Sequence, residues 1–280
     1  VATPVTSLSV LTLARGRTSH LLNLIEGIRR SELAPSELVV VDMNDEAISV
    51  DPLDCPIRLV RLPGEALPLA AARNLAARLS TSDRLLFLDA DCIPSSTLIG
   101  VMDRAIKQRD GLFCPEVLYL GPNDARASWT EADLLDAGRA HPVRPFPRSG
   151  WRDEANVGLF WSLAFGVRKT TFEMLGGFDE AYVGYGAEDT DFGFLSRGRG
   201  IPLIFTGDAR AFHQHHEVSD PPVEHLDAII RNARIFHRKW GVWPMEGWLK
   251  AFETSGKLRF SPDRQEIFET PERAHSKSIS

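Results

Sequence analysis

The chain has 280 residues, of which 43% are hydrophobic and 25% charged. That length suits one large α/β domain or two small ones, with a core that needs no disulfide or structural metal. With 32 basic against 38 acidic residues the net charge is −6, which argues against nucleic acid as a partner, because such binding rewards a basic surface. The three cysteines, Cys55, Cys92 and Cys114, form no CxxC pair. An odd, unpaired set points to a reducing compartment. No apolar run reaches about eighteen residues, so no membrane span is expected. Residues 1–7 lack a basic n-region and do not read as a signal peptide. The expectation is a cytoplasmic protein, with room for peripheral association at the inner face of the membrane and for a homo-oligomer.

Taken in chain order, residues 8–13 (LSVLTL) predict a strand, and Thr18 or Ser19 an N-cap for a helix over 20–30, whose apolar residues recur at helical spacing. Residues 37–41 (ELVVV) predict a second strand running into Asp42-Met-Asn-Asp45, and 57–62 a third. Residues 69–79 (LAAARNLAARL) form an Ala-rich helix. Residues 84–88 (RLLFL) predict a fourth strand that runs into Asp89-Ala90-Asp91, with Ser95 or Ser96 capping a helix to about Gln108. Near-continuous apolar strands separated by helices predict a mostly parallel sheet covered on both faces. In such sheets ligands bind at the carboxyl ends of the strands. The polar clusters 15–17, 42–45 and 89–91 all fall there.

Further on, 111–120 is strand-like, 129–138 helical, 141–154 a long loop rich in Pro and Arg, and 160–167 (FWSLAFGV) a strand. A short helix over 169–175 stops at Gly176-Gly177, and another over 188–197 opens with three acids. Strands are expected at 202–205 and 209–213, and helices at 222–240 and 243–252. The stretch after Gly256 is polar and reads as loosely held.

Three constellations carry chemistry. Asp89 and Asp91 stand two residues apart at a strand end, where both could face Mg²⁺ or Mn²⁺, ions that bridge carboxylates to phosphates. Solvated acids in a turn are the plainer reading. Glu188, Asp189 and Asp191 follow a Gly-rich loop at a helix start, where the macrodipole favours carboxylates and where one of them could serve as a general base. Helix capping alone is the competing account. His213-Gln-His-His216 ends a strand and offers imidazole ligands, or simply exposed histidines. Arg15, Arg17 and Arg73 could meet phosphates, and Trp151, Trp161 and Trp240 could stack on a sugar.

The order LSVLTLARGR, ELVVVDMNDE, AAARNLAA, LLFLDADCIPS, GGFDEAYVGYGAEDTDFGF and ARAFHQHH resembles the GT-A fold glycosyltransferases of the family 2 type. Its GGFDE…GAEDTDFG segment also resembles the galactosyltransferase and N-acetylgalactosaminyltransferase type. The resemblance implies a GT-A domain over 8–216, with a nucleotide-binding half (8–115) and an acceptor-binding half (116–216), a helical extension over 217–256, and tails at 1–7 and 257–280. It implies transfer of a sugar, a hexose by expectation, from a UDP- or GDP-sugar to a hydroxyl of a glycan, lipid-linked or small-molecule acceptor. It implies donor contacts at Ala14, Arg15, Asp42, Asn44, Asp45, Arg73, Asp89 and Ala90. The metal, Mn²⁺ or Mg²⁺, falls to Asp91 and His213, with Asp89 beside them. Asp189 matches the general base of inverting members, and Glu188, Trp161 and Gly186 would hold the acceptor. Met43 and Asn44 depart from the Asp-Gly-Ser frequent after the strand-two aspartate. Retaining transfer, and a non-catalytic nucleotide-sugar or glycan binder, are the alternatives. A haloacid-dehalogenase-like phosphohydrolase is a remoter rival, because its DxD lies on the first strand rather than the fourth.

Overall fold

The fold is described from a computed structural model over residues 3–64, 67–126, 128–217, 219–261 and 266–269. Its first half is β1 (Leu8–Ala14), α1 (Thr18–Arg29), β2 (Glu37–Asp42), β3 (Ile57–Arg61), α2 (Leu69–Leu79), β4 (Arg84–Leu88), β5 (Cys92–Pro94) and α3 (Leu98–Gln108). The second half is β6 (Leu112–Tyr119), α4 (Glu131–Ala137), β7 (Arg139–Ala140), β8 (Trp151–Glu154), β9 (Ala164–Arg168), α5 (Lys169–Leu175), α6 (Glu188–Gly198), β10 (Leu203–His213), α7 (Leu226–Trp240), α8 (Glu246–Thr254), β11 (Leu258–Ser261) and β12 (Glu266–Glu269).

Ten strands form one sheet, with the main path β3-β2-β1-β4-β9-β6-β10-β5. The first four are parallel; β1, β2 and β4 are buried apolar runs of the kind parallel sheets require, and the edge strand β3 is largely exposed. The sheet then turns mixed: β9 runs antiparallel to β4 and β6, and β5 and β8 run antiparallel to β10. Side chains alternate between two apolar layers. Leu8 and Val10 of β1 join α1 and α3 in one layer, whereas Leu11 and Leu13 join α2, α5 and α6 in the other. Phe87 lies flat on Phe165, centroids 4.5 Å apart, and Phe178 on Phe192, also 4.5 Å. Buried rings of this size each contribute about 1.5–3 kcal/mol by leaving water. They tie the 176–187 loop to the sheet through Phe178.

Several sequence expectations need correction. Helices α1 and α3 start from Arg17 and Thr97, neither with a side-chain cap hydrogen bond. Thr130, by contrast, forms a full capping box with Asp133 on α4. The expected loop 141–154 ends in a strand, β8, because its residues pair with the far side of β10. The two short strands expected at 202–205 and 209–213 are one strand, β10, with an irregularity between Thr206 and Arg210. The expected strand 160–167 begins only at Ala164, after a 3₁₀ turn at Val157–Leu159. Within the stretch read as a loose tail from 257, β11 and β12 pair antiparallel, and Leu258, Phe260 and Ile267 pack on α7 and α8 in a separate small core. Residues 262–265 and 270–280 of that tail lie outside the described residues. At the other end, Thr6 donates its backbone N–H to Ala34. No helix among the described residues is long and apolar enough to cross a membrane.

Close approach at the β10 irregularity demands glycine. A Cβ on Gly207 would sit 1.8 Å from the carbonyl oxygen of Pro147, and backbone cannot yield cheaply. Gly207→Ala is expected to lose about 1–3 kcal/mol of stability in chemical denaturation. Gly198→Ala, where nothing lies within 4 Å, is expected to change little.

Candidate active site

At the carboxyl end of β4 the chain turns at once. Cys92 N–H donates to the Asp89 carbonyl at 2.8 Å, and this turn sends the two carboxylates different ways. Asp89 meets Arg73 at 3.1 Å. Asp91, only 3% exposed, meets His213 and His216, each at 3.6 Å, and pairs with Arg17. The ligand atoms of Asp91, His213 and His216 all lie within 4.8 Å of one another. One carboxylate and two imidazoles make a donor set suited to Mn²⁺ or a similar divalent ion. Asp89 is not part of this group.

The histidine turn is placed by the sheet and by α1 together. His213 pairs with Cys92 across β10 and β5, and Gln214 N–H donates to the Asp91 carbonyl at 2.8 Å. The buried Gln214 side chain donates to the His20 carbonyl and accepts from Asn23. Burial alone would raise the pKa of Asp91, but His213, Arg17, His216 and His20 outweigh it and hold the group below its ordinary value. Burial and Arg17 lower His216, which favours the neutral, ligand-competent imidazole. Asp89 goes the other way: burial pushes it up to about 6 despite Arg73, and the Asp91 charge adds to the rise.

Arg73, 3% exposed, spans from Asp89 to Glu188, which it meets at 3.2 Å. Its neighbour Asn74 grips the far segment: the amide donates to the Phe178 carbonyl at 2.8 Å and accepts from Phe178 N–H at 2.9 Å. Gly177, at φ 70°, leaves room for that grip, since a Cβ there would lie 2.5 Å from the Asn74 oxygen. The Ala-Arg-Asn and Gly-Gly-Phe motifs, a hundred residues apart in sequence, are thus halves of one contact. Ala187, left-handed at φ 75°, opens α6 and directs Glu188 and Asp189 toward the site. Burial, with Asp189 beside it, pushes Glu188 up to about 7. Burial also raises Asp189, against the pull of Arg73 and the Thr190 and Ser162 backbone. Glu188 is spent on Arg73, whereas Asp189 accepts from Thr190 N–H at 2.7 Å, from Thr190 Oγ1 at 3.4 Å and from the Ser162 backbone.

Asp191, the third acid, is fully buried and receives Tyr182 Oη, Lys239 Nζ and Trp240 Nε1 at 3.2, 2.9 and 2.7 Å. The Asn232 amide donates to the carbonyls of Val183, Tyr185 and Gly186. Helix α7 therefore clamps both ends of the Gly-rich loop. On the donor side the Asp42 carboxylate is buried and engaged by Asn44 and by Ile48 N–H, so it shapes the 42–48 loop from within. Asn44 also accepts from Gly16 N–H, next to Arg15, and Ala14 receives Met43 N–H. Asp45 is exposed, and its carbonyl accepts from Arg61. Ala90 is buried in the β4 turn.

A wall of rings leads from the histidines to Trp161. Tyr119 lies 5.0 Å from His213 and 5.5 Å from His141, and His141 lies 4.8 Å from Trp161. Sequence reasoning missed His216 and Arg17 as partners of Asp91, and Tyr119 and His141 altogether. The HQHH cluster was the available signal for His216; nothing local marks the other two.

Because the folded pKa of Glu188 is raised, its stabilising contribution is present below its ordinary value near 4.5 and is lost as pH rises through about 7. Glu188→Gln removes that loss. The melting temperature of the variant relative to the parent is expected to rise by a few degrees between pH 4.5 and pH 8, at about 2–4 °C per kcal/mol, on top of a pH-independent loss from the partner taken away from Arg73. A gap independent of pH would contradict the strain assigned to this carboxylate.

Residues 9–175 match the model of Glycosyl transferase family 2. Over 80 residues the chain is 33% identical to validoxylamine A glucosyltransferases from two subspecies of Streptomyces hygroscopicus, jinggangensis and limoneus; the match covers 29% of this chain and 18% and 17% of theirs. The chain thus matches less than a fifth of the length of these curated relatives. Among solved structures, GalNAc-T7 with UDP, GalNAc and Mn²⁺ superposes at TM-score 0.57 with 16% identity, over 83% of this chain and 48% of that one. S. aureus TarS 1-349 in complex with UDP-GlcNAc superposes at 0.57 with 13% identity, over 86% and 74%. The fold is that of the GT-A glycosyltransferases, and the chain belongs to glycosyl transferase family 2.

Proposed function

We propose that this family 2 protein is an inverting, divalent-metal-dependent hexosyltransferase that takes a UDP- or GDP-sugar and an acceptor hydroxyl. The observation that carries the reading is the Asp91–His213–His216 donor set at the end of β4, joined through Asp89, Arg73 and Glu188 to the start of α6 where Asp189 stands. The Mn²⁺ in the GalNAc-T7 structure and the UDP-sugar in the TarS structure support the choice of ion and donor class.

Asp91, His213 and His216 would hold the ion, Mn²⁺ or Mg²⁺, and what the ion supplies there is neutralisation of charge on the diphosphate. Arg17, the cation already at Asp91, is assigned to the diphosphate oxygens, with Arg15 beside it. The 42–48 loop shaped by Asp42, with Asn44 and Asp45, is assigned to the nucleoside, and Ala14, Asp89 and Ala90 to the floor beneath it. Arg73, buried, holds Asp89 and Glu188 in place. Asp189 takes the proton of the acceptor hydroxyl as its oxygen bonds to the anomeric carbon, and the bond to the diphosphate oxygen breaks on the opposite face. Its raised pKa makes it a better base at neutral pH than an ordinary aspartate. Trp161, with His141 and Tyr119, is assigned to the face of the acceptor, and Gly186 to its close approach.

Calorimetry with UDP and GDP tests the donor half: Asp91→Asn and His213→Ala are expected to lose Mn²⁺-dependent tightening, and a chelator should abolish it in the parent. Asp189→Asn is expected to keep that binding while nucleoside diphosphate release with acceptor falls about 10²–10⁴-fold. Undiminished turnover in that variant would refute the role of Asp189.

A further inference from the structure

The segment from His141 to Pro147 carries an arginine that sugar transfer leaves unused. Arg144 is 3% exposed. Its Nε and Nη2 are buried and have no hydrogen-bond partner among the described residues, and it enters no ion pair with them. The Cys114 thiol is the polar side chain set against the guanidinium. Three rings surround it: its central carbon lies 4.7 Å from the centroid of Trp161, 5.2 Å from that of Phe205 and 5.3 Å from that of Phe146. Arg152 makes the contrast, since it lies over the same Phe205 at 5.5 Å but pairs with Glu154 at 2.8 Å.

A buried charge without a counter-charge is costly, and so is each buried donor without an acceptor. The faces of three rings recover part of that cost, but an apolar side chain of similar length would fill the place at less cost. Packing alone therefore does not account for an arginine here. What Arg144 holds is the wall of rings beside the histidines. Phe146 lies flat on Phe205, centroids 4.4 Å apart at 15°, which fastens the segment to β10. The Arg144 N–H donates to the His141 carbonyl at 3.1 Å, closing a turn that sets His141 nearly perpendicular to Trp161, 4.8 Å away at 85°. Trp161 and His141 are both half-buried, so each keeps surface open to a ligand. Burial lowers the pKa of His141 and the Arg144 charge lowers it further, which favours the neutral ring.

We propose that Arg144 is a positioning residue of the acceptor site, its guanidinium fixing the orientation of the Trp161 ring and the 141–144 turn that of His141. The inference rests on the reading that assigns Trp161 and His141 to the face of the acceptor. A cation is drawn to the face of an indole by the ring's quadrupole, so it selects one orientation of Trp161, whereas an unbranched apolar neighbour accepts several. Rings held in place before the acceptor arrives lose no freedom when it binds. Arg144 itself, walled in by the rings, does not touch the acceptor. It acts through Trp161, and it lowers the stability of the fold in doing so.

The test labels the full chain with fluorotryptophan and follows Trp161 by fluorine NMR, its signal assigned by its loss in Trp161→Phe. The parent is expected to give one sharp Trp161 signal. Arg144→Met keeps the stem and removes the charge; its Trp161 signal is expected to broaden or split. Arg144→Lys returns a cation to the ring and is expected to restore a single signal. The melting temperature of Arg144→Met is expected to be unchanged or raised, because the uncompensated charge is gone, so lost ring order is separated from lost folding. A Trp161 signal in Arg144→Met as sharp as the parent's, a Lys variant no better ordered than the Met variant, or a melting temperature of Arg144→Met several degrees below the parent's would each overturn the proposal, the last by showing a purely structural arginine. The ring readout is independent of transfer. Both Arg144 variants should keep the Mn²⁺-dependent binding of UDP or GDP; absence of that binding from the parent, with Trp161 still ordered by Arg144, would refute the transferase reading and leave the positioning of the ring standing.

Discussion

The buried guanidinium of Arg73 is the constraint around which the site is organised. It reaches from Asp89 at the end of β4 to Glu188 at the start of α6, and so joins the two halves of the sheet's binding edge through one charge. Removing one partner from a buried pair typically costs about 3–5 kcal/mol, because the other charge is left uncompensated. Two acids sharing one cation remain under strain: burial raises Asp89, Glu188 and Asp189 together. Perturbed pKa values gather at functional sites, and structural ion-pair networks produce them as well. Helix α2 carries both Arg73 and Asn74, so one rigid element fixes the acids electrostatically and the Gly-Gly-Phe segment by hydrogen bonds.

The pair Asp89–Asp91 divides its labour as a consequence. Once Arg73 holds Asp89, only Asp91 turns toward His213 and His216, and the opposite pKa shifts of the two aspartates follow from their different neighbours. A carboxylate held ionised beside two imidazoles has the geometry to hold a divalent ion; a carboxylate with a raised pKa against a guanidinium is engaged in an ion pair. Two acids that look equivalent in sequence do different physical work.

The extension beyond the family-matched residues is part of this machinery. Asn232 satisfies three carbonyls of the Gly-rich loop, and Lys239 and Trp240 hold Asp191. A loop with glycines at positive φ has many accessible conformations; a fixed amide with donors aimed at its carbonyls selects one. The third acid of the Glu-Asp-Thr-Asp run is therefore an anchor for α7 and not a chemical group.

Much of the fold was legible in the residues themselves. Unbroken apolar runs in β1, β2 and β4, separated by helices of 3.6-residue period, dictate a parallel, two-sided sheet whose carboxyl ends collect the polar clusters. The DAD, EDTD and HQHH groups were visible because they gather acids and imidazoles at strand and helix ends on the side of the sheet where ligands bind in such folds. What only the tertiary structure decided concerns partners distant in sequence. That Asp91 and not Asp89 faces the histidines depends on where Arg73 lies. That His216 joins His213 depends on Gln214 being held by His20 and Asn23. That Leu258–Ser261 and Glu266–Glu269 pair as strands over the extension depends on α7 and α8 offering an apolar face to cover. Local periodicity and propensity act over a few residues, whereas these contacts span tens to nearly two hundred, and their energies exist only once the sheet has brought the segments together.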